Sequence, residues 1–197
     1  MLIFWDQRLV FLATPKAGSS AVEAALEPLA SVAMKRPDPL KHMSAQDYLA
    51  NLAPYLEATS GERFTTVALM REPVGWLMSW YRFRQRDILD GEDAAIRRHS
   101  FETFARSYMD PADPLRSEIG LQSDVLADAA GAPLVDRIFR YEAIDRFVHF
   151  LEDRLDCAIT LPRVNVPPAA DVKLTGESEA ALRTTMAADV ALYDSLG

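Results

Sequence analysis

The sequence predicts an α/β fold: one domain over residues 1–197, with a mainly parallel central sheet flanked by helices. Apolar runs typical of buried strands alternate along the chain with segments of helical periodicity, and the first buried run ends at a glycine-containing loop that opens a helix. The 197 residues are 49% hydrophobic, which suits one domain with a full core. In such sheets, ligands bind at the carboxyl ends of the strands.

Two strands are predicted before the loop. Residues 2–5 form a predicted short edge strand, and residues 9–13 are a continuous apolar run that indicates a central strand buried on both faces. A helix over residues 20–30 follows. Its apolar side chains recur at i, i+3, i+4 and i+7, the spacing of a helix face that packs on a sheet: Val22, Ala25, Leu26 and Leu29.

The next segment is predicted to be irregular first and then helical. Pro37 and Pro39 predict irregular structure over residues 31–41. Ser44 is a favourable N-cap for a helix that Pro54 is expected to end.

A second strand–loop–helix unit is predicted from residue 64 onward. Residues 64–70 are dense in β-branched side chains, which indicates a strand, and Arg71 follows that strand directly. Pro73 suits the first turn of a helix that is apolar nearly all round and is therefore expected to be deeply packed.

The remaining elements follow the same alternation. Residues 87–98 are charged and predict a surface excursion, and Ser100 begins an amphipathic helix. Residues 137–141 indicate a third core strand, followed by a helix. Residues 161–175 hold three prolines and predict an irregular loop, after which Ser178 is expected to cap the closing helix.

The composition argues against several classes of function. With a net charge of -8, the chain lacks the broad basic face that nonspecific binding to nucleic acid or to anionic membranes requires. The single cysteine, Cys157, cannot form an internal disulfide, and the three histidines lack metal-ligand spacing, so we expect no metal centre. The chain shows no signal-peptide pattern and no apolar run long enough for a membrane span, so we expect a cytoplasmic protein.

The loop after the central strand has the composition of an anion site. The first amides of a helix, here those of Ala17 to Ser20, have no intrahelical partner and lie at the positive end of the helix dipole. Gly18 lets a ligand approach the backbone, and Ser19 or Ser20 can offer a hydroxyl. Lys16 adds a full charge. The alternative is a capped helix start with an exposed lysine.

This loop is not a Walker A motif. In that motif the lysine directly follows the second glycine, whereas Lys16 precedes Gly18 and no earlier glycine exists.

A second anion site is predicted at the end of the next strand. Arg71 ends that strand and Ser79 lies about two turns into the following helix, so both can face one anion beside the first loop. Three more arginines follow on the same helix. For these the alternative is ion pairing with acids such as Asp87 and Asp90 on a solvated face: Arg82, Arg84 and Arg86.

Together these stretches resemble a known enzyme family. Residues 14–20 are similar to the 5′-phosphosulfate loop of sulfotransferases that use 3′-phosphoadenosine 5′-phosphosulfate (PAPS), and residues 71–81 are similar to their 3′-phosphate motif, including the spacing of eight between Arg71 and Ser79. Residues 140–142 and 161–165 resemble later segments of bacterial and carbohydrate-type members. The resemblance implies a sulfotransferase fold related to the P-loop NTPases.

The resemblance also implies a reaction. A sulfuryl group would pass from PAPS to a hydroxyl or amine of a small-molecule, carbohydrate or lipid acceptor, leaving 3′-phosphoadenosine 5′-phosphate (PAP), with no metal required. Lys16 would stabilise charge on the leaving phosphate together with the amides of residues 17–20, while Arg71 and Ser79 would hold the 3′-phosphate.

A general base should take the acceptor proton, and His42, on a loop after the first helix, is the first candidate. A surface histidine without a role is the alternative. The other candidate bases are Glu23, Asp47 and Glu118.

One family feature is missing. Cytosolic small-molecule sulfotransferases carry a glycine-rich carboxyl-terminal motif over the adenosine, whereas Gly176 stands alone here. Arg163, Asn165 and Lys173 are candidates for covering the adenosine, and anchoring of the loop is the alternative for each.

Two other functions remain open on the sequence. A nucleotide-binding scaffold could keep the anion loops without catalysing transfer. A small-molecule kinase of related P-loop architecture is less compatible with the displaced Lys16.

Overall fold

The core of the fold is a five-stranded sheet with the strand order β3-β1-β2-β4-β5. It is seen in a computed structural model that describes residues 1–89, 100–162 and 172–196, with the side chains of residues 86–89 excepted. The strands are β1 (Leu2–Phe4), β2 (Leu9–Leu12), β3 (Val32–Ala33), β4 (Thr65–Met70) and β5 (Arg137–Arg140).

The sheet is mixed, so the prediction of a mainly parallel sheet is wrong. Strand β4 runs parallel to both β2 and β5, but β1 is antiparallel to both β2 and β3. The physical reason is the turn between β1 and β2, closed by the bond from the Arg8 amide to the Trp5 carbonyl at 3.2 Å. Only four residues separate these strands, too few for the crossover that a parallel pair needs.

The predicted edge strands also differ from those observed. Strand β1 was expected at an edge, but Leu2 and Ile3 pair with β3, which arises in a segment predicted to be irregular. Strand β5 was expected in the core, but it is the last strand of the sheet and its residues are exposed or half-buried.

Helices surround this sheet. They are α1 (Ser19–Leu26), α2 (Asp38–Lys41), α3 (Ala45–Asp47), α4 (Ala53–Ser60), α5 (Pro73–Leu89), α6 (Phe101–Met109), α7 (Leu115–Ile119), α8 (Ser123–Leu126), α9 (Ile144–Leu155), α10 (Gly176–Thr185) and α11 (Ala187–Ser195). Two 3₁₀ turns, Glu27–Leu29 and Tyr141–Ala143, and a π-helical segment, Tyr48–Leu52, complete the described elements.

Two of the three predicted helix caps are confirmed. The hydroxyls of Ser44 and Ser100 accept hydrogen bonds from the amides three residues further on, at 3.0 and 3.1 Å. The third is wrong, because the cap of α10 is Thr175, whose hydroxyl accepts from the Ser178 amide at 3.2 Å. The closing segment is also two helices, α10 and α11, separated at Met186.

The expected helix break at Pro54 is also wrong. Helix α3 continues through the π-helical segment Tyr48–Leu52 into α4, and the wider turn of this segment accommodates Pro54 near the start of α4. Helix α4 ends at Gly61, which adopts a left-handed conformation with φ 76°.

Both faces of the sheet are covered, as predicted for β2. Side chains of β2 alternate between the faces: Val10 and Leu12 pack toward α4, α8 and α11, and Leu9 and Phe11 pack toward α1 and α9. A third cluster lies between α5, α6 and α10, around Trp76.

The parallel strands direct three loops to one edge of the sheet. The carboxyl ends of the parallel strands β2, β4 and β5 lie together, and the first residues after them are Ala13, Arg71 and Tyr141. This is the edge where a ligand is expected.

Parts of the predicted surface excursion at residues 87–98 and of the proline-containing loop at residues 161–175 lie outside the described residues. No helix within the three described ranges is both long and apolar enough to cross a membrane.

Candidate functional site

The predicted anion loop connects β2 to α1 in an unusual backbone conformation. Lys16 has φ 58° and Gly18 has φ 84°, so two residues of this short loop are left-handed. Non-glycine residues with this strain concentrate at functional sites. The hydrogen bonds of α1 begin with the amides of Ala21 and Val22, which both donate to the Gly18 carbonyl at 3.0 and 3.4 Å.

The amides just before these bonds are available to a ligand. Within the described part of the chain, the amides of residues 17–20 have no hydrogen-bond acceptor. Their location at the N-terminus of α1 is the arrangement that binds phosphate in many folds.

Gly18 is required because an aromatic ring lies against it. A Cβ atom at this position would lie 2.7 Å from Cε2 of Tyr141, the first residue after β5. The sequence did not identify Tyr141 as a site residue, because only the fold brings the end of β5 to the loop after β2.

The loop also packs against α5. The indole Nε1 of Trp76 donates to the Pro15 carbonyl at 2.9 Å. The Lys16 ammonium lies 4.7 Å from the ring centroid of Trp80 and 2.9 Å from that of Phe83, so its stem follows the aromatic side of this helix.

Two stripes of α5 carry the residues of interest for the two predicted anion sites. Trp76, Trp80 and Phe83 are spaced i, i+4, i+7 and carry the contacts to the loop. Gly75, Ser79 and Arg82 have the same spacing, one residue earlier along the helix. The two stripes lie about 100° apart around the helix axis.

Arg71 lies at the base of the second stripe. A Cβ atom at Gly75 would be 3.6 Å from Arg71 Nε, and the Arg71 guanidinium lies 4.9 Å from the Tyr141 ring centroid. The Arg71 Nε atom is buried and has no acceptor among the described residues. One ring, that of Tyr141, therefore lies between the anion loop and Arg71.

Arg82 shares this environment. Its Nε atom is also buried without an acceptor in the described structure. Burial lowers the pKa of the Arg71 guanidinium, and the charge of Arg82 lowers it further, against the opposing effects of Tyr141, Glu142 and Glu72. Buried Nε donors without an acceptor, on two arginines that influence each other electrostatically, make this region a candidate anion site.

Of the two remaining arginines of α5, Arg84 shows no such buried donor in the described structure. Arg84 forms an ion pair with Glu118 at 2.7 Å, so it pairs with an acid as the alternative interpretation expected, although with a different one. The side chain of Arg86 lies outside the described structure.

A buried clamp holds the backbone of Arg71. The side-chain amide of Gln122 accepts from the Arg71 amide at 2.9 Å and donates to the Arg71 carbonyl at 2.8 Å. Asp189 in turn accepts from the amides of Gln122 and Ser123 at 3.0 and 2.7 Å, and both Gln122 and Asp189 are 0% exposed. Sequence reasoning missed this clamp, because its members lie far apart along the chain.

Two further buried polar atoms lie in these same elements. The Thr14 hydroxyl, in the loop, and the Trp80 Nε1, on the aromatic stripe of α5, have no hydrogen-bond partner among the described residues. Buried polar groups of native proteins are rarely left unsatisfied, so these atoms too fit a site that is completed by a polar ligand.

His42 lies next to the loop. Its Nδ1 is 2.6 Å from the carbonyl of Ala13, the first residue after the central strand β2. Nδ1 must carry the proton to donate this bond, which leaves the lone pair on Nε2. Burial is the main cause that lowers the pKa of His42, so the neutral form is favoured at neutral pH.

The other candidate bases are engaged elsewhere. Glu23 is buried and lies 3.0 Å from the Lys41 ammonium. Asp47 accepts a bond from the Ser44 hydroxyl at 2.8 Å on an exposed helix, and Glu118 pairs with Arg84.

Of the residues considered for covering the adenosine, Arg163 and Asn165 lie outside the described residues, and Lys173 lies between them and α10. In residues 1–89, 100–162 and 172–196, no group of three or more histidine, cysteine, aspartate or glutamate side chains could hold a metal ion.

Comparison of the chain with protein-family models, with curated proteins and with solved structures returned no match.

Proposed function

We propose that this chain is a PAPS-dependent sulfotransferase that transfers a sulfuryl group to a hydroxyl or amine acceptor. The observation that supports the proposal is that two candidate anion-binding groups, the loop after β2 and the Arg71 guanidinium, both lie against the Tyr141 ring. A nucleotide that bears anionic groups on both its 5′ and 3′ positions needs two such sites, whereas AMP needs one.

The loop would hold the 5′-phosphosulfate. The amides of residues 17–20, which have no acceptor in the described structure, would donate to it at the N-terminus of α1, and Ser19 and Ser20 would add hydroxyls. Lys16 is the loop's own cation, and its charge would oppose the negative charge that develops on the leaving phosphate.

The arginine pair would hold the 3′-phosphate. Ser79 has the helical spacing of one face with Gly75 and Arg82, and a Cβ at Gly75 would lie 3.6 Å from Arg71 Nε, so its hydroxyl would join Arg71 and Arg82 around this phosphate. Phosphate oxygens would satisfy the buried Nε atoms that have no acceptor among the described residues.

The proposed chemistry is a single displacement at sulfur. The acceptor oxygen or nitrogen forms a new bond to sulfur as the bond between sulfur and the bridging phosphate oxygen breaks, and PAP leaves with that electron pair. The acceptor proton passes to the Nε2 lone pair of His42, which the bond from Nδ1 to the Ala13 carbonyl leaves available.

A transfer assay tests the proposal. The protein is incubated with PAPS labelled with ³⁵S and with separate phenol, carbohydrate, amine and lipid acceptors, and labelled product is separated and counted. We expect one acceptor class to become labelled without added metal or ATP. Tight PAP binding without any labelling would instead indicate a nucleotide-binding scaffold, and phosphate transfer from magnesium and ATP would indicate a kinase.

A further inference from the structure

A groove runs along the outer edge of the sheet, on the far side of β5 from β4. It has a volume of about 280 Å³ and is lined by the whole of β5. Its remaining walls come from the segment before β5, the start of α9 and the end of α11: Asp136, Ala143, Arg146, Ser195 and Leu196.

The backbone of β5 is available along this groove. In the described structure β5 pairs with β4 alone, so its outward amide and carbonyl groups have no strand partner. An edge of this kind is a template for a further strand.

The groove is positively charged in an otherwise acidic chain. Arg137, Arg140 and Arg146 line it, whereas the net charge of the chain is -8. The acid in its wall, Asp136, is already neutralised: it pairs with Arg63 at 2.8 Å and accepts from the Thr66 amide at 2.8 Å.

The two arginines of β5 lie toward different helices, on opposite faces of the strand, so neither covers the backbone groups of its outer edge. The Arg137 guanidinium lies 5.1 Å from the ring centroid of Phe150 on α9, and the Arg140 guanidinium lies 4.6 Å from that of Tyr193 on α11. The Nε atom of Arg140 is buried without a partner among the described residues. Charges that only protect an edge from aggregation do not need aromatic supports of this kind.

We propose that this groove binds an extended, acidic peptide segment of a partner protein by strand addition to β5. The backbone of the segment would pair with the outer edge of β5, and its carboxylates would reach the guanidinium groups on both sides. The proposal does not depend on the transfer reaction, since none of these side chains belongs to the loop after β2 or to the Arg71, Ser79 and Arg82 group.

Fluorescence anisotropy tests the proposal. The probe is a labelled seven-residue peptide of glutamate and valine with blocked ends, titrated with the full chain. Two further probes separate the contributions: the same peptide with lysine in place of glutamate, and the acidic peptide with alternate backbone amides methylated. We expect only the unmethylated acidic peptide to bind, with each change weakening binding by about 10-fold or more.

Variants of the chain locate the site. Arg137→Glu combined with Arg146→Glu should abolish binding, whereas Arg36→Glu combined with Arg154→Glu, which changes the net charge equally at exposed arginines outside the groove, should preserve it. Circular dichroism of the native chain and of the two double variants shows that each is folded. Equal loss in both double variants would overturn the proposal, because it would indicate a nonspecific charge effect.

Two other outcomes would replace the peptide with another occupant. Equal binding of the methylated peptide would show a simple anion site that does not use the strand edge. Sedimentation velocity that shows a dimer in the native chain, and a monomer in the Arg137→Glu, Arg146→Glu variant, would assign the edge to a second copy of this chain.

Discussion

At the scale of single residues, the cations of the candidate site differ from the exposed, ion-paired cations Arg84 and Lys35. Arg84 and Lys35 are paired with acids, at 2.7 and 2.6 Å. Arg71 and Arg82 instead bury Nε atoms that have no acceptor in the described structure, and Lys16 lies against the aromatic stripe of α5. An anion that accepts from the Nε atoms of Arg71 and Arg82 should therefore stabilise the fold.

The first residue-scale prediction concerns Lys16→Ala. The rate of sulfuryl transfer should fall about 100-fold or more, because the charge that opposes the leaving phosphate is lost. Loss of its cation–π contacts should lower the free energy of unfolding by only about 0.5–1 kcal/mol, so the variant stays folded. Initial rates with labelled PAPS and a thermal melt measure both effects. Lys35→Ala, an exposed lysine paired with Glu27, is the matched control. A folded Lys16→Ala protein with near-native turnover would refute the role.

The second prediction concerns the pH profile. Since burial lowers the pKa of His42 below that of an ordinary histidine and the neutral form is the base, the transfer rate should rise with pH through a midpoint below the ordinary histidine pKa and then level off. His42→Ala should lower the rate about 100-fold while PAP affinity barely changes. His42→Gln can keep a hydrogen bond to the Ala13 carbonyl and separates anchoring from proton transfer. If the glutamine variant retains both the native rate and the native pH profile, then His42 is not the base.

At the scale of elements, α5 organises the site by presenting two stripes to two loops. Its aromatic stripe receives the loop after β2, and its Gly75–Ser79–Arg82 stripe receives the residue after β4. The buried Gln122–Asp189 clamp ties that same residue, Arg71, to α11. The end of β4 is therefore fixed from both sides, and this fixation positions the Arg71 guanidinium.

The element-scale prediction is that Gln122→Leu weakens both stability and 3′-phosphate recognition. The change leaves the amide and carbonyl of Arg71 without partners, which should lower the free energy of unfolding by about 1–3 kcal/mol. PAP binding should weaken while 5′-AMP binding changes little, because only the position of Arg71 is affected. Thermal melts and titration calorimetry measure these effects, and Gln46→Leu, at an exposed glutamine, is the control. Equal weakening of both nucleotides would show that the clamp supports the whole site and not Arg71 alone.

At the scale of the whole molecule, local signals predicted the elements better than their arrangement. The units β2–loop–α1 and β4–α5 were identified because strand composition, turn residues and helical periodicity agree there. The mixed sheet was missed because β3 has only two residues and the direction of β1 depends on one four-residue turn. Pro54 was misjudged because a π-helical segment absorbs it.

In the candidate site, too, local sequence signals identified some residues, and others depend on how the elements are arranged. Lys16, Gly18 and Arg71 could be identified as candidates because they lie in loops that follow strands of recognisable composition. Tyr141 and Gln122 could not, since each reaches the site through contacts between residues at least 50 positions apart along the chain. Their roles depend on strand order and helix packing, which no local pattern encodes.

The central claim is that two anion sites bind the 5′ and 3′ groups of one nucleotide. Titration calorimetry with PAP and 5′-AMP tests it most directly. A hydrogen bond to a charged group is worth roughly 1.5–3 kcal/mol, so the native chain should bind PAP about 10-fold or more tightly than 5′-AMP. Arg71→Ala should remove most of this preference by weakening PAP alone, Ser79→Ala should remove part of it, and Arg84→Ala should leave it unchanged. Equal binding of PAP and 5′-AMP by the native chain, or a preference for ATP with magnesium, would contradict the claim.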